Sequence, residues 1–157
     1  MIVEKILDLD RTINQKFTDH RLGAVDQFFA SVTGLGSTYL TGAMITGTYI
    51  LRPGLLGQVL PGFVALTVIV WSSKKLFHRD KPDNSTLTVD LTESFPSGHS
   101  ANSVYMAVTY SFLFPELAVL AYGLAVTICL SRVYLGAHYP SDVVAGASLG
   151  AVIAILI

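Results

Sequence analysis

Charge is what this chain has least of. Only 13% of its 157 residues are Asp, Glu, Lys or Arg, about half the share in a typical soluble domain. Ten basic and eleven acidic residues nearly cancel, so the broad cationic surface that nucleic-acid binding needs is absent. A single cysteine, Cys129, excludes an internal disulfide; within its apolar run it reads as a small core or lipid-facing residue. There is no internal repeat and no low-complexity linker, and no apolar segment of a cleavable signal peptide is expected at the N-terminus. Apolar residues, by contrast, make up 52% of the chain, and the mean hydropathy is +0.57. Long uncharged runs, with polar residues gathered into a few clusters, describe a membrane protein.

Residues 1–20 read as an amphipathic helix. Ile2, Ile6, Leu9, Ile13 and Phe17 recur three or four apart, with Glu4, Lys5, Asp8, Arg11 and Lys16 between them. The segment is too charged to span, and is expected to lie along the membrane interface or to cap the bundle. No charge occurs between Asp26 and Arg52, a stretch long enough for a spanning helix and rich in glycine (Gly34, Gly36, Gly42, Gly47). Arg52-Pro53-Gly54 makes a turn, and a second run, 55–73, ends near Trp71, a suitable interfacial anchor. Further runs lead from Phe95 to Pro115, over 117–130, and over 141–157. The expectation is an all-α, polytopic bundle of about five spanning helices plus the N-terminal interfacial helix. It is read as one membrane-embedded domain, 1–157, with 1–21 as the interfacial helix and 24–157 as the bundle with its polar loops.

The polar clusters carry the chemistry. Ser131-Arg132-Val133-Tyr134-Leu135-Gly136-Ala137-His138-Tyr139-Pro140-Ser141-Asp142 places an arginine, a histidine and an aspartate between two apolar runs. Ionisable groups beside a bilayer are costly and point to function. Gly136 suits a helix end and Pro140 a helix start, which puts Asp142 in the first turn, within reach of His138. A carboxylate that accepts a proton from one imidazole nitrogen leaves the other basic and aimed. Arg132 offers a planar fork for phosphate oxygens. A second cluster holds Lys74, Lys75, His78, Arg79, Asp80, Lys81 and Pro82, followed by a polar loop, 83–94. A third, Pro96-Ser97-Gly98-His99, opens a helix whose free N–H groups at Ser97, Gly98 and His99 are expected to cradle an anion. Pairs of spanning helices separate the three clusters, so all three fall on one side of the membrane. Nine of the ten Lys and Arg fall there too, leaving only Arg52 opposite.

Lys74, six residues, Lys81-Pro82; Pro96-Ser97-Gly98-His99; and Ser131-Arg132, five residues, His138, three residues, Asp142 together resemble the three-part signature of the type-2 phosphatidic acid phosphatases, which share a fold with vanadium haloperoxidases. The resemblance runs from Lys74 to Asp142. It implies a vanadium haloperoxidase-like core and a metal-independent membrane phosphatase that needs no cofactor. In that scheme His138, oriented by Asp142, attacks phosphorus and His99 protonates the leaving oxygen. Lys74, Lys81, Ser97, Gly98 and Arg132, with Arg79 as a further candidate, hold the phosphate oxygens. Lys81 departs from the family's arginine and loses its bidentate fork. The implied partners are the bilayer and a lipid phosphate or pyrophosphate: phosphatidylglycerophosphate, phosphatidic acid or a polyprenyl diphosphate. Head-group contacts are expected from the 83–94 loop and the N-terminal helix. The implied location is the bacterial cytoplasmic membrane with the site facing outward. The alternatives are a phosphotransferase using the same intermediate, a non-enzymatic anion carrier, and a metal hydrolase with His99, His138 and Asp142 as ligands.

Overall fold

The computed structural model describes residues 2–20, 22–82 and 93–157. Among the described residues all regular structure is helical, apart from an isolated bridge between Asp80 and Glu93. Seven α-helices follow in order: α1 (Ile2–Asp19), α2 (Gly23–Thr33), α3 (Thr38–Leu51), α4 (Leu56–Phe77), α5 (Gly98–Leu113), α6 (Ala118–Tyr134) and α7 (Pro140–Leu156).

The expected first span is two helices, not one. A turn of 3-10 helix at Gly34–Gly36 separates α2 from α3, and Ser37 begins α3 by accepting the Leu40 N–H on its hydroxyl. At 11 and 14 residues these helices are about 17 and 21 Å long, short of a hydrocarbon core of about 30 Å. The break has a packing cause. A Cβ on Gly36 would lie 2.8 Å from Ile128 Cγ2 and 2.9 Å from the His99 carbonyl oxygen, so the turn is pressed between α5 and α6. Asn102 Nδ2 donates to the Gly36 carbonyl and to Thr38 Oγ1. Among the described residues, two helical segments are long and apolar enough to cross a membrane: Pro53–Phe77, 25 residues, and Pro115–Tyr134, 20 residues. Two clear spans among shorter helices do not confirm the count of five full crossings.

The innermost residues are Ile45, Val59, Leu66, Val70, Ala101, Tyr105 and Met106, contributed by α3, α4 and α5. The closest helix pair is α5 with α7. A Cβ on Gly146 would sit 2.3 Å from the Ser97 carbonyl oxygen, and one on Gly150 would sit 2.2 Å from that of Ala101. Two glycines four apart thus let the backbones touch, the usual device for close helix packing in lipid.

The first helix is exposed along most of its length. Its buried residues are Asp10 and Asn14, whereas Ile6, Leu9 and Phe17 of the apolar stripe are 45%, 59% and 39% exposed. The charged residues Glu4, Lys5, Asp8, Arg11 and Lys16 are exposed as well, so Asp10 and Asn14 are, among the described residues, the two points at which this helix is sunk into the protein.

Candidate active site

Each end of each helix near the site is fixed locally. α4 ends where His78 adopts left-handed geometry (φ 44°) and donates its N–H to the Lys74 carbonyl. The segments that follow α4 and precede α5 run side by side, with the Ser94 N–H on the Arg79 carbonyl at 2.6 Å. α5 starts at Ser97, whose Oγ accepts from the Ser100 N–H and bonds the Ser100 hydroxyl at 2.9 Å. α6 ends at Tyr134, and Gly136 (φ 67°) turns the chain back. The Arg132 carbonyl then accepts both the Ala137 and the His138 N–H, at 3.0 and 3.1 Å. That pair of bonds explains the five-residue spacing: the backbone of His138 is tied to that of Arg132. Pro140 opens α7, and the Asp142 carboxylate accepts the Tyr139 N–H at 2.9 Å.

These ends enclose a cavity of about 180 Å³. Lys74, Lys81, Gly98, His99, Arg132 and His138 line it together with Thr38, Thr67, Val70, Trp71, Glu93 and Asn102. Three distant segments thus meet at one end of the bundle. The turns at Arg52 and Phe114 lie at the other end, around a separate cavity.

His138 is 4% exposed. Its Nδ1 stops 3.8 Å from Asp142 Oδ2, facing it but beyond hydrogen-bond length. Hydrogen bonds at catalytic sites commonly tighten only when ligand binds. Burial, aided by Arg132 and Lys74, lowers the His138 pKa to about 4 despite the opposing effect of Asp142. Burial also lowers that of Lys81, with Arg132 adding to it and Glu93 opposing. Arg132 is 2% exposed; its Nη1 donates to Thr33 Oγ1 at 2.7 Å, and its Nε has no partner among the described residues. Lys74 Nζ is held by the Glu93 carbonyl at 2.7 Å. Desolvated cations around a cavity are a setting for an anion. Among the described residues, no three His, Cys, Asp or Glu side chains could together hold a metal ion.

Two expected phosphate ligands are placed elsewhere. Arg79 does not line the cavity. Its Nη1 donates to Asp142 Oδ1 at 2.6 Å and to Ser141 Oγ at 2.7 Å, and its Nη2 donates to Asp10 Oδ2 at 2.8 Å. Ser97 is fully buried; its hydroxyl caps α5 and its N–H donates to the Asp142 carbonyl at 3.0 Å. That leaves Gly98 and His99 as the N–H groups of the helix start without an intrahelical acceptor. Residues 83–92 of the expected head-group loop lie outside the described residues. The sequence reading missed Asp10, Thr33, Thr38, Glu93 and Asn102, all of them ordinary polar residues outside any motif.

The chain has relatives of known kind. It is 38% identical over 96 residues to phosphatidylglycerophosphatase B of Bacillus subtilis, covering 54% of this chain and 47% of that protein. It is 46% identical over 59 residues to lipid A 1-phosphatase of Rhizobium johnstonii, covering 38% and 24%. The chain therefore spans half or less of the length of these curated relatives. Among solved structures it matches a transmembrane PAP2-type phosphatidylglycerolphosphate phosphatase from Bacillus subtilis with a TM-score of 0.88, at 26% identity, over 97% of this chain and 84% of that one. It matches LpxE of Aquifex aeolicus with a TM-score of 0.83, at 28% identity, over 96% and 92%. These relatives and the two apolar helices indicate an integral membrane protein. The PAP2 superfamily profile matches residues 32–157, a stretch that contains every cavity-lining residue named above, and on that match the chain belongs to the PAP2 superfamily.

Proposed function

We propose that this chain is an integral membrane phosphatase that removes phosphate from a lipid phosphate or pyrophosphate through a phosphohistidine on His138. The observation that carries the reading is one cavity lined by two histidines and three cations, with Asp142 behind one of the histidines. In this scheme His138 Nε2, on the ring edge away from Asp142, forms a bond to phosphorus. The bond from phosphorus to the lipid oxygen breaks, and His99 gives that oxygen a proton. Water then attacks the phosphohistidine as His99 takes its proton, the phosphorus–nitrogen bond breaks, and phosphate leaves. Lys74, Lys81, Arg132 and the N–H groups of Gly98 and His99 meet the charge on the equatorial oxygens. These cations supply the neutralisation, and no metal is called on.

An apolar cavity of about 230 Å³, bordered by Met44, Met106, Leu120, Leu124 and Ile128, suits an acyl or prenyl chain. Its Ser103 is the neighbour of Asn102 in the polar cavity. Phosphatidylglycerophosphate, phosphatidic acid and polyprenyl diphosphates are the substrates to try. We place the site on the outer face of a bacterial cytoplasmic membrane. Lys74, Lys81 and Arg132 serve the site and Arg79 is paired, so they do not report topology. The test is phosphate release from a panel of these lipids in detergent. The parent releases phosphate into water with a chelator present, and His138→Ala loses turnover while eluting as a folded protein. Full turnover by His138→Ala overturns the reading; label passing to a second alcohol instead of water makes the protein a phosphotransferase.

A further inference from the structure

Asp10 has no part in the scheme above, yet it is 2% exposed on a helix whose other charged residues, Glu4, Lys5, Asp8, Arg11 and Lys16, are exposed. It lies outside residues 32–157, the stretch matched by the family. Its carboxylate gathers three donors: the Ser141 N–H at 3.0 Å, the Ser141 hydroxyl at 2.5 Å, and Arg79 Nη2 at 2.8 Å. Arg79 in turn reaches Asp142 Oδ1 at 2.6 Å and lies over the Tyr139 ring, 4.4 Å from its centroid. Asp142 faces His138. The contacts form one line, Asp10 to Arg79 to Asp142 to His138.

We propose that Asp10 is a positioning residue for His138, acting through Arg79 and Asp142. The inference rests on the phosphatase reading only for its kinetic test.

The argument is electrostatic and geometric. Asp142 is fully buried with a guanidinium against it. A single buried carboxylate paired with a single arginine is neutral overall, and offers little charge to a neighbouring imidazolium. Asp10 gives Arg79 a second carboxylate, so the three groups together carry one negative charge. That charge lies beside Nδ1, where the ring becomes cationic once Nε2 bonds to phosphorus. Asp10 also holds Ser141 by both backbone and hydroxyl, and Ser141 directly precedes Asp142 in the first turn of α7. Charge-assisted bonds of this kind are short and directional, so they fix the carboxylate as well as compensating it.

Asp10→Asn keeps the shape and removes the charge. With enzyme in excess over a lipid phosphate, the single-turnover rate constant is expected to fall between about tenfold and a hundredfold. The amplitude separately reports the folded fraction, so a merely anchoring role for Asp10 would lower amplitude and leave the rate constant alone. Arg79→Gln is expected to slow the same step, and Asp10→Asn added to it to have little further effect, because the path is already cut. A parental rate constant in Asp10→Asn, or fully additive effects in the double variant, overturns the proposal. Magnetic resonance of isotope-labelled histidine reads the same geometry without a substrate, with His138→Ala identifying the signal. The parent ring is expected as one tautomer protonated at Nδ1, and Asp10→Asn is expected to mix tautomers. An unmoved His138 signal overturns this inference alone; a parent inert toward every lipid phosphate overturns the function alone.

Discussion

The sharpest prediction concerns the contact between α5 and α7. Gly146 lies one turn beyond Asp142, and its neighbour across the interface is the carbonyl of Ser97, the residue that opens the helix of His99. An alanine there would put its Cβ 2.3 Å from that oxygen, about 1 Å inside an ordinary contact. Both atoms belong to backbone-rigid parts, and the Ser97 N–H is itself bonded to the Asp142 carbonyl, so no flexible side chain can yield. The helices must part by about 1 Å, and the separation of His138 and Asp142 from His99 changes with them. A misplacement of that size costs about a hundredfold in rate. Alanine is worth up to about 1 kcal/mol over glycine in a helix, while overpacking costs about 1–3 kcal/mol; a net loss of stability is expected. Gly123, in α6, has nothing within 4 Å of its virtual Cβ, so Gly123→Ala isolates the propensity gain and should be neutral or stabilising. The assay is phosphate release per unit of monodisperse protein in detergent, with thermal unfolding alongside. Parental turnover and midpoint for Gly146→Ala would refute the packing argument.

Two further outcomes follow from the cavity. His138 is expected to stay neutral until the pH falls toward 4, because its burial opposes the charged form. The folded chain takes up that proton at a lower pH than the unfolded chain does, so this group's contribution to stability is complete above about 6.5 and declines as pH falls toward 4. Titration of the labelled ring by magnetic resonance checks this, and a midpoint near 6.5 would contradict it. Lys81→Arg restores the family's residue and its two-pronged donor, so kcat/KM for a lipid phosphate is expected unchanged or higher, by up to about tenfold; a tenfold loss would mean that the cavity is shaped around the lysine.

The convergence of the three segments was legible in the sequence because each is a polar cluster at the end of an uncharged run, and ionisable groups in such a chain gather at helix ends. The turn from Arg132 to Asp142 was legible because Gly136 and Pro140 each have one economical use. The break at Gly34–Gly36 was not, since an uncharged run offers no polar residue to mark an interruption, and the glycines read equally well as packing positions. Asp10 was hidden because helical periodicity marks where apolar residues recur, and does not say which one of several acidic residues on the same helix will be buried. Arg79 was misplaced for a related reason. A cation near Lys81 can turn either way, and its direction is set by a carboxylate on a helix about seventy residues upstream.

Folding has buried Arg132, half-buried Lys74 and Lys81, and left the three around one cavity. An entering tetrahedral oxyanion offsets their mutual repulsion by attracting all three, and inorganic phosphate has the tetrahedral shape of a phosphate ester. On the phosphatase reading proposed above, the molecule that the reaction discards is also an occupant suited to the place it leaves. On that reading, inorganic phosphate is expected to slow turnover and to raise the melting midpoint, which would tie the pace of the reaction to the phosphate content of the surrounding medium.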